Sequence, residues 1–179
     1  AFAVVIFFAA AAAPNAARNA RHLSSTYVQR DKLTAADAAA DDQFGRSVAI
    51  DGDTVVVGAP YENSERGAVY VFRTSDSVQL AKLVASDGAA EDRFGCSVAI
   101  YGNTVVVGAD QQYNGGSGSV YVLHTTDGGA TYGQVAKLTA ADAAAGDYFG
   151  ESVAIDGDTI VVGASGDDPG GSVYVFRTT

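Results

Sequence analysis

The stretch FGRSVAIDGDTVVVGAP, from Phe44 to Pro60, returns as FGCSVAIYGNTVVVGAD from Phe94 to Asp110 and as FGESVAIDGDTIVVGAS from Phe149 to Ser165. Its flanks recur too. AKLVASDGAAEDRFG and AKLTAADAAAGDYFG lead into the second and third copies, and AVYVFR, SVYVLH and SVYVFR follow the three in turn. Self-similarity at a period of about 50 residues marks a stack of supersecondary units rather than one interleaved fold.

Each copy reads as short strands. Ser47 to Ile50 and Thr54 to Ala59 flank Asp51-Gly52, an Asp-Gly pair that predicts a type I′ hairpin. Asp156-Gly157 repeats it, and Tyr101-Gly102 keeps the glycine. A looser loop (YENSERG, DQQYNGGSG or SGDDPGG) leads to a third strand, Ala68 to Arg73 in the first copy. A fourth follows, Val78 to Ala85 or Gln134 to Ala140. VVVGA and VYVF are apolar on both faces, which a sheet with one wet face does not need and a stack of sheets does. The expected fold is therefore all-β: three four-stranded antiparallel meanders stacked as β-propeller blades over about 44–85, 94–140 and 149–179. The pairs Phe44-Gly45, Phe94-Gly95 and Phe149-Gly150, with Gly58, Gly108 and Gly163, fall where converging blades leave least room. The phenylalanines are expected to fill the wedges between blades.

Three blades fall short of the four to eight of a closed propeller, so the chain is expected to be a partial or open one. Residues 26–34 (TYVQRDKLT) resemble an outer strand lacking the three strands before it, one that a ring would use to complete its last blade. Open apolar faces call for further blades or self-association. Ahead of this segment, AFAVVIFFAAAAAP is too short to span a bilayer as a helix and has the length of a signal-peptide core. Residues 1–25 are thus read as signal peptide and linker, 26–179 as the propeller segment, and the protein as secreted or displayed at the cell surface.

The net charge of −10 argues against nucleic acid and against polybasic membrane attachment. Cys96, the single cysteine, excludes an intramolecular disulfide and stands where the other copies carry Arg46 and Glu151, as an inert substitution would. His22 lies in the linker, and His124 aligns with Arg73 and Arg177 at a strand end. No nucleophile, phosphate-loop or histidine metal motif is present, which makes an enzyme unexpected.

Acidic residues gather between the copies: Asp37, Asp41 and Asp42, then Asp87, Glu91 and Asp92, then Asp142 and Asp147. One reading makes Asp37, Asp42, Asp87, Asp92, Asp142 and Asp147 cation sites, one pair per blade. The other has the aspartate two residues before each Phe shaping a turn by accepting backbone N–H bonds. The loops between second and third strands differ most among copies. Their Tyr61, Glu62, Arg66, Gln111, Gln112, Tyr113 and Asp167 are candidate recognition residues.

The repeat resembles the FG-GAP repeat, which builds the propeller of integrin α subunits. The matching letters are Phe44-Gly45 with Gly58-Ala59-Pro60, Phe94-Gly95 with Gly108-Ala109, and Phe149-Gly150 with Gly163-Ala164. The resemblance implies an extracellular setting and a role in adhesion or recognition. It also implies a calcium loop, Asp-x-Asp-x-Asp-Gly, in the first hairpin. Here that hairpin is only Asp51-Gly52-Asp53, Tyr101-Gly102-Asn103 or Asp156-Gly157-Asp158, too tight to wrap an ion wanting six to eight oxygens. No cofactor is expected, calcium being the weak candidate. The function expected is non-enzymatic recognition of a protein or glycan. The alternatives are the scaffold of a polysaccharide-acting hydrolase or lyase, and a structural fragment of a larger propeller.

Overall fold

The computed structural model describes residues 27–112 and 114–178, and the signal-peptide reading of residues 1–25 lies outside them. The chain divides into two units, residues 1–32 and 33–179. In the first, residues 27–32 form no strand and are exposed, and residues 33 and 34 of the second are equally outside any sheet. Over the described residues 27–34 the outer strand expected at 26–34 is therefore not formed.

The second unit holds eleven strands in three antiparallel sheets. Sheet I runs β1 (Ser47–Asp51), β2 (Thr54–Ala59), β3 (Ala68–Arg73), β4 (Val78–Leu83) in that spatial order. Sheet II repeats it with β5 (Ser97–Tyr101), β6 (Thr104–Ala109), β7 (Ser119–His124) and β8 (Gly133–Leu138). Sheet III has β9 (Ser152–Asp156), β10 (Thr159–Ala164) and β11 (Ser172–Arg177), with β10 in the middle. The third meander is thus three-stranded among the described residues. The outer strands β4 and β8 end two residues sooner than their apolar runs, because Ala85 and Ala140 turn away to begin the next crossover.

The hairpin register corrects the turn type. Asp51 pairs with Thr54, so the central residues are Gly52 and Asp53, not Asp51 and Gly52. Gly52 has φ +56° while Asp53 is not left-handed, which fits a II′ turn with glycine first. The same register recurs at Tyr101↔Thr104 and Asp156↔Thr159.

Sheets stack face on face. Val56, Val69, Val71 and Leu83 of sheet I meet Val98, Val105, Val107, Tyr121 and Leu123 of sheet II around Phe94. Sheet II turns Ala99, Val106, Val120 and Val122 to Ile160, Val162, Tyr174 and Phe176 of sheet III around Phe149. Each phenylalanine lies edge-on to a tyrosine of the sheet that follows it: Phe94 to Tyr121 at 5.3 Å, Phe149 to Tyr174 at 5.4 Å. Phe44 meets Tyr70 the same way at 5.6 Å, but no sheet precedes it among the described residues and it is only half-buried.

Backbones touch at each joint. The Ser47 hydroxyl donates to the Gly95 carbonyl at 2.8 Å, and Ser97 repeats this on Gly150 at 2.6 Å. The amides of Phe94 and Phe149 donate to the carbonyls of Arg66 and Ser117 at 3.0 and 2.9 Å. Contacts this close require glycine at Gly58 and Gly108, where a side chain would strike the Gly95 and Gly150 carbonyls.

Candidate recognition loops and interblade joints

Six of the seven loop residues picked from sequence lie among those described, and Tyr113 lies outside them. Tyr61 and Glu62 open a single helical turn, Glu62–Glu65, whose Asn63 and Ser64 are left-handed (φ 50° and 60°). The Arg93 guanidinium lies over the Tyr61 ring at 5.3 Å. Glu62 accepts from Lys82 at 3.0 Å. Arg66 lines a small cavity of about 120 Å³ with Glu62, Asn63, Val84 and Gly88.

The second loop is braced from beneath. Gln111 donates to Asp92 at 3.0 Å and accepts from the Gly118 amide at 3.2 Å. Asn114 donates to the same Asp92 oxygen at 2.7 Å, and Gln112 accepts from Arg93. Below them Arg93 and Asp110 form a buried ion pair at 3.4 Å, both side chains under a tenth exposed. Burial holds the Asp110 carboxyl above its ordinary value, with Arg93 pulling the other way. Sequence reading missed this pair because its positions vary between copies: Gln43 and Tyr148 stand where Arg93 does, Pro60 and Ser165 where Asp110 does. In the third loop Asp167 accepts from the Tyr174 hydroxyl at 3.1 Å.

The acidic candidates divide by position. Asp42, Asp92 and Asp147 are buried, and each accepts the amide three residues earlier, from Ala39, Ala89 and Ala144, at 2.8, 2.7 and 2.6 Å. Asp37 and Asp87 instead pair with a lysine and a tyrosine of the sheet that follows each of them. Lys82 bridges Asp37 at 2.6 Å and lies over the Tyr70 ring at 5.4 Å. Lys137 bridges Asp87 at 2.6 Å and lies over Tyr121 at 4.9 Å, whose hydroxyl donates to Asp87 at 2.9 Å. Asp142 accepts from Tyr174 at 3.0 Å. Among the described residues no three His, Cys, Asp or Glu side chains gather as a metal ligand set.

Lys82 and Lys137 hold Asp37 and Asp87 below the ordinary value of 3.8. A depressed carboxyl pKa stabilises the fold above that value and is lost as pH falls through the folded one. The melting temperature is thus expected to fall below about pH 4. The decline should be shallower in a K82M/K137M variant, each half-exposed pair contributing on the order of 0.5 kcal/mol. Thermal melts between pH 2.5 and 7 read this directly; parallel curves for the two proteins would refute it.

Cys96 places its thiol 3.5 Å from the Gly150 carbonyl, and burial, then the Asp110 charge, push it up to about 12. Such a thiol is a poor nucleophile. His124 lies 3.1 Å from the Thr104 hydroxyl at a strand end.

Repeated antiparallel meanders, stacked face on face with a phenylalanine in each wedge, define a β-propeller repeat protein. The chain belongs to the FG-GAP repeat family, whose model matches residues 27–72, 78–123 and 132–176. No curated protein matches its sequence. Among solved structures it is similar to that titled "Crystal structure of the Saccharomyces cerevisiae Sqt1", at 12% identity and a TM-score of 0.46. That match covers 78% of this chain and 36% of the other, so the chain spans about a third of that protein's length.

Proposed function

We propose that this chain is a non-enzymatic recognition module of a secreted or cell-surface protein, binding protein or glycan through the loops between second and third strands. The observation that carries the reading is the construction of the loop at 110–112 and 114–118: a segment that differs from its counterparts, held by the buried Arg93–Asp110 pair and the bonds of Gln111 and Asn114 to Asp92. Variable residues on a rigid support can bind without a large ordering cost. FG-GAP repeats occur in extracellular and cell-surface proteins, which supports the setting. The six candidate aspartates, by contrast, are engaged in turns or with lysine and tyrosine partners, and among them no pair is set apart to serve as acid and base on a substrate.

A glycan array and a panel of extracellular-matrix proteins, both probed with the intact chain, test this. Binding is expected, falling at least tenfold in an R66A variant whose melt is unchanged. Release of sugar fragments from a polysaccharide by the purified chain would replace the reading with the enzymatic alternative.

A further inference from the structure

The two joints inside the chain show what each end of the stack is built to meet. At every joint the downstream sheet brings three things to the upstream one: its Phe-Gly corner, its inner apolar face, and the outer strand that precedes it in sequence. Sheet III has the upstream half of such a joint with no partner on it among the described residues. Val173 and Val175 are 68% and 61% exposed, while their counterparts Val69 and Val71 are fully buried. A cavity of about 350 Å³ opens beside them, lined by Ser152, Gly163, Gly171, Ser172 and Val173 among others. These match Ser97, Gly108, Gly118, Ser119 and Val120, the residues against which the Phe149-Gly150 corner is seated.

The downstream half stands at the other end. Val48 and Ile50 of β1 are about two-thirds exposed, and a Cβ at Gly45 would meet nothing, whereas at Gly95 and Gly150 it would meet the preceding sheet. Ahead of them runs Val28-Gln29-Arg30-Asp31-Lys32-Leu33. It shares Val, Gln, Lys and Leu with Val78-Gln79-Leu80-Ala81-Lys82-Leu83 of β4, in the same positions. Arg30 and Asp31 replace residues whose equivalents in β8, Val135 and Ala136, are exposed and half-buried.

We propose that a second copy of this chain docks head to tail on sheet III. Its 28–33 segment adds as a fourth strand along β11, and its Phe44-Gly45 corner enters the cavity. The registers Tyr70↔Lys82 and Tyr121↔Lys137 place Lys32 opposite Tyr174 and Leu33 opposite Val173. Charge favours it: Tyr174 already carries the carboxylates of Asp142 and Asp167, as Tyr70 has Asp37 and Glu62 near the lysine over its ring, but among the described residues no cation is placed over the Tyr174 ring. An exposed edge such as β11 is a ready template for an added strand. Head-to-tail contacts close only if the rotation permits; the described sheets of two copies number six, inside the range of closed propellers, and those of three would exceed it. The assembly is a closed dimer with two such joints.

Light scattering of the full chain after size separation is expected to give twice the chain mass, with no larger species. Val175→Lys, at a site exposed in the single chain, should yield a folded monomer by circular dichroism. Lys32→Glu should weaken the dimer at least tenfold and Asp142→Lys in the same chain restore it. Hydrogen exchange at the outward β11 amides should slow as the dimer forms. A monomer at every concentration, an unbounded ladder of masses, or a dimer indifferent to Val175→Lys and to Lys32→Glu would overturn the proposal.

Discussion

Placing alanine at Gly108 is expected to unfold the protein or nearly so. Gly108 lies on β6 under the Gly150 corner, and a methyl there would overlap the Gly150 carbonyl oxygen and the Ser97 hydroxyl. The hydroxyl can rotate, at the loss of its bond to Gly150. The carbonyl cannot, because the Gly150 amide is tied to the Gly163 carbonyl at 3.0 Å and Phe149 to Ser117. Relief requires sheets II and III to separate, opening the apolar wedge around Phe149. We expect a loss above about 4 kcal/mol, at the extreme of single substitutions and comparable with the whole stability of a small domain. Gly133→Ala is the control. Gly133 starts β8 without a left-handed backbone and with open space at its Cβ, so its change should stay within about 0.5 kcal/mol. Urea unfolding of the two variants measures the contrast, and equal midpoints would disprove the close-approach account.

Phe149→Ala should come next in size. The ring is fully buried, edge-on to Tyr174 at 5.4 Å and Phe176 at 6.0 Å, and packed with Ile160 and Val162. Two sheets resting on backbone contacts cannot collapse into the void, so the loss should reach about 3–5 kcal/mol. Phe44→Ala should cost roughly half that in dilute protein, since the same ring chemistry is applied to a half-buried side chain. Midpoints measured at low and high protein concentration separate the two, because the dimer proposed above would bury Phe44 as well. If Phe44 and Phe149 prove equivalent in the dilute monomer, the wedge is not what holds the sheets.

Much of this fold can be read along the chain. The repeat of FG, VAI, VVVGA and VYVF placed nearly every strand, since short β-branched and aromatic apolar runs broken by Gly and Asp leave few alternatives. The doubly apolar runs announced stacking, which the structure shows at both joints. The hairpins differed in turn type because a one-residue change in pairing register moves the turn, and register follows from packing as well as from the turn residues. The candidate site was less legible. Glu62 and Asp37 are remote in sequence from Lys82, and Arg93 from Asp110, and each meets its partner only once the strands of its own sheet, with their lead-in segment and loops, have assembled. Periodicity marks the faces of a strand but not which long polar side chains meet between a strand and the loops around it.

The valines show the boundary most plainly. AVYVF and SVYVF are near copies, and local chemistry makes both of them strands of the same meander. Val69 and Val71 are nonetheless sealed, while Val173 and Val175 stand mostly in water. The amino-acid order alone determined the strands, their faces and the fact that they must be covered. What covers each was decided by position in the stack, because burial belongs to the pair of surfaces in contact and not to either segment by itself.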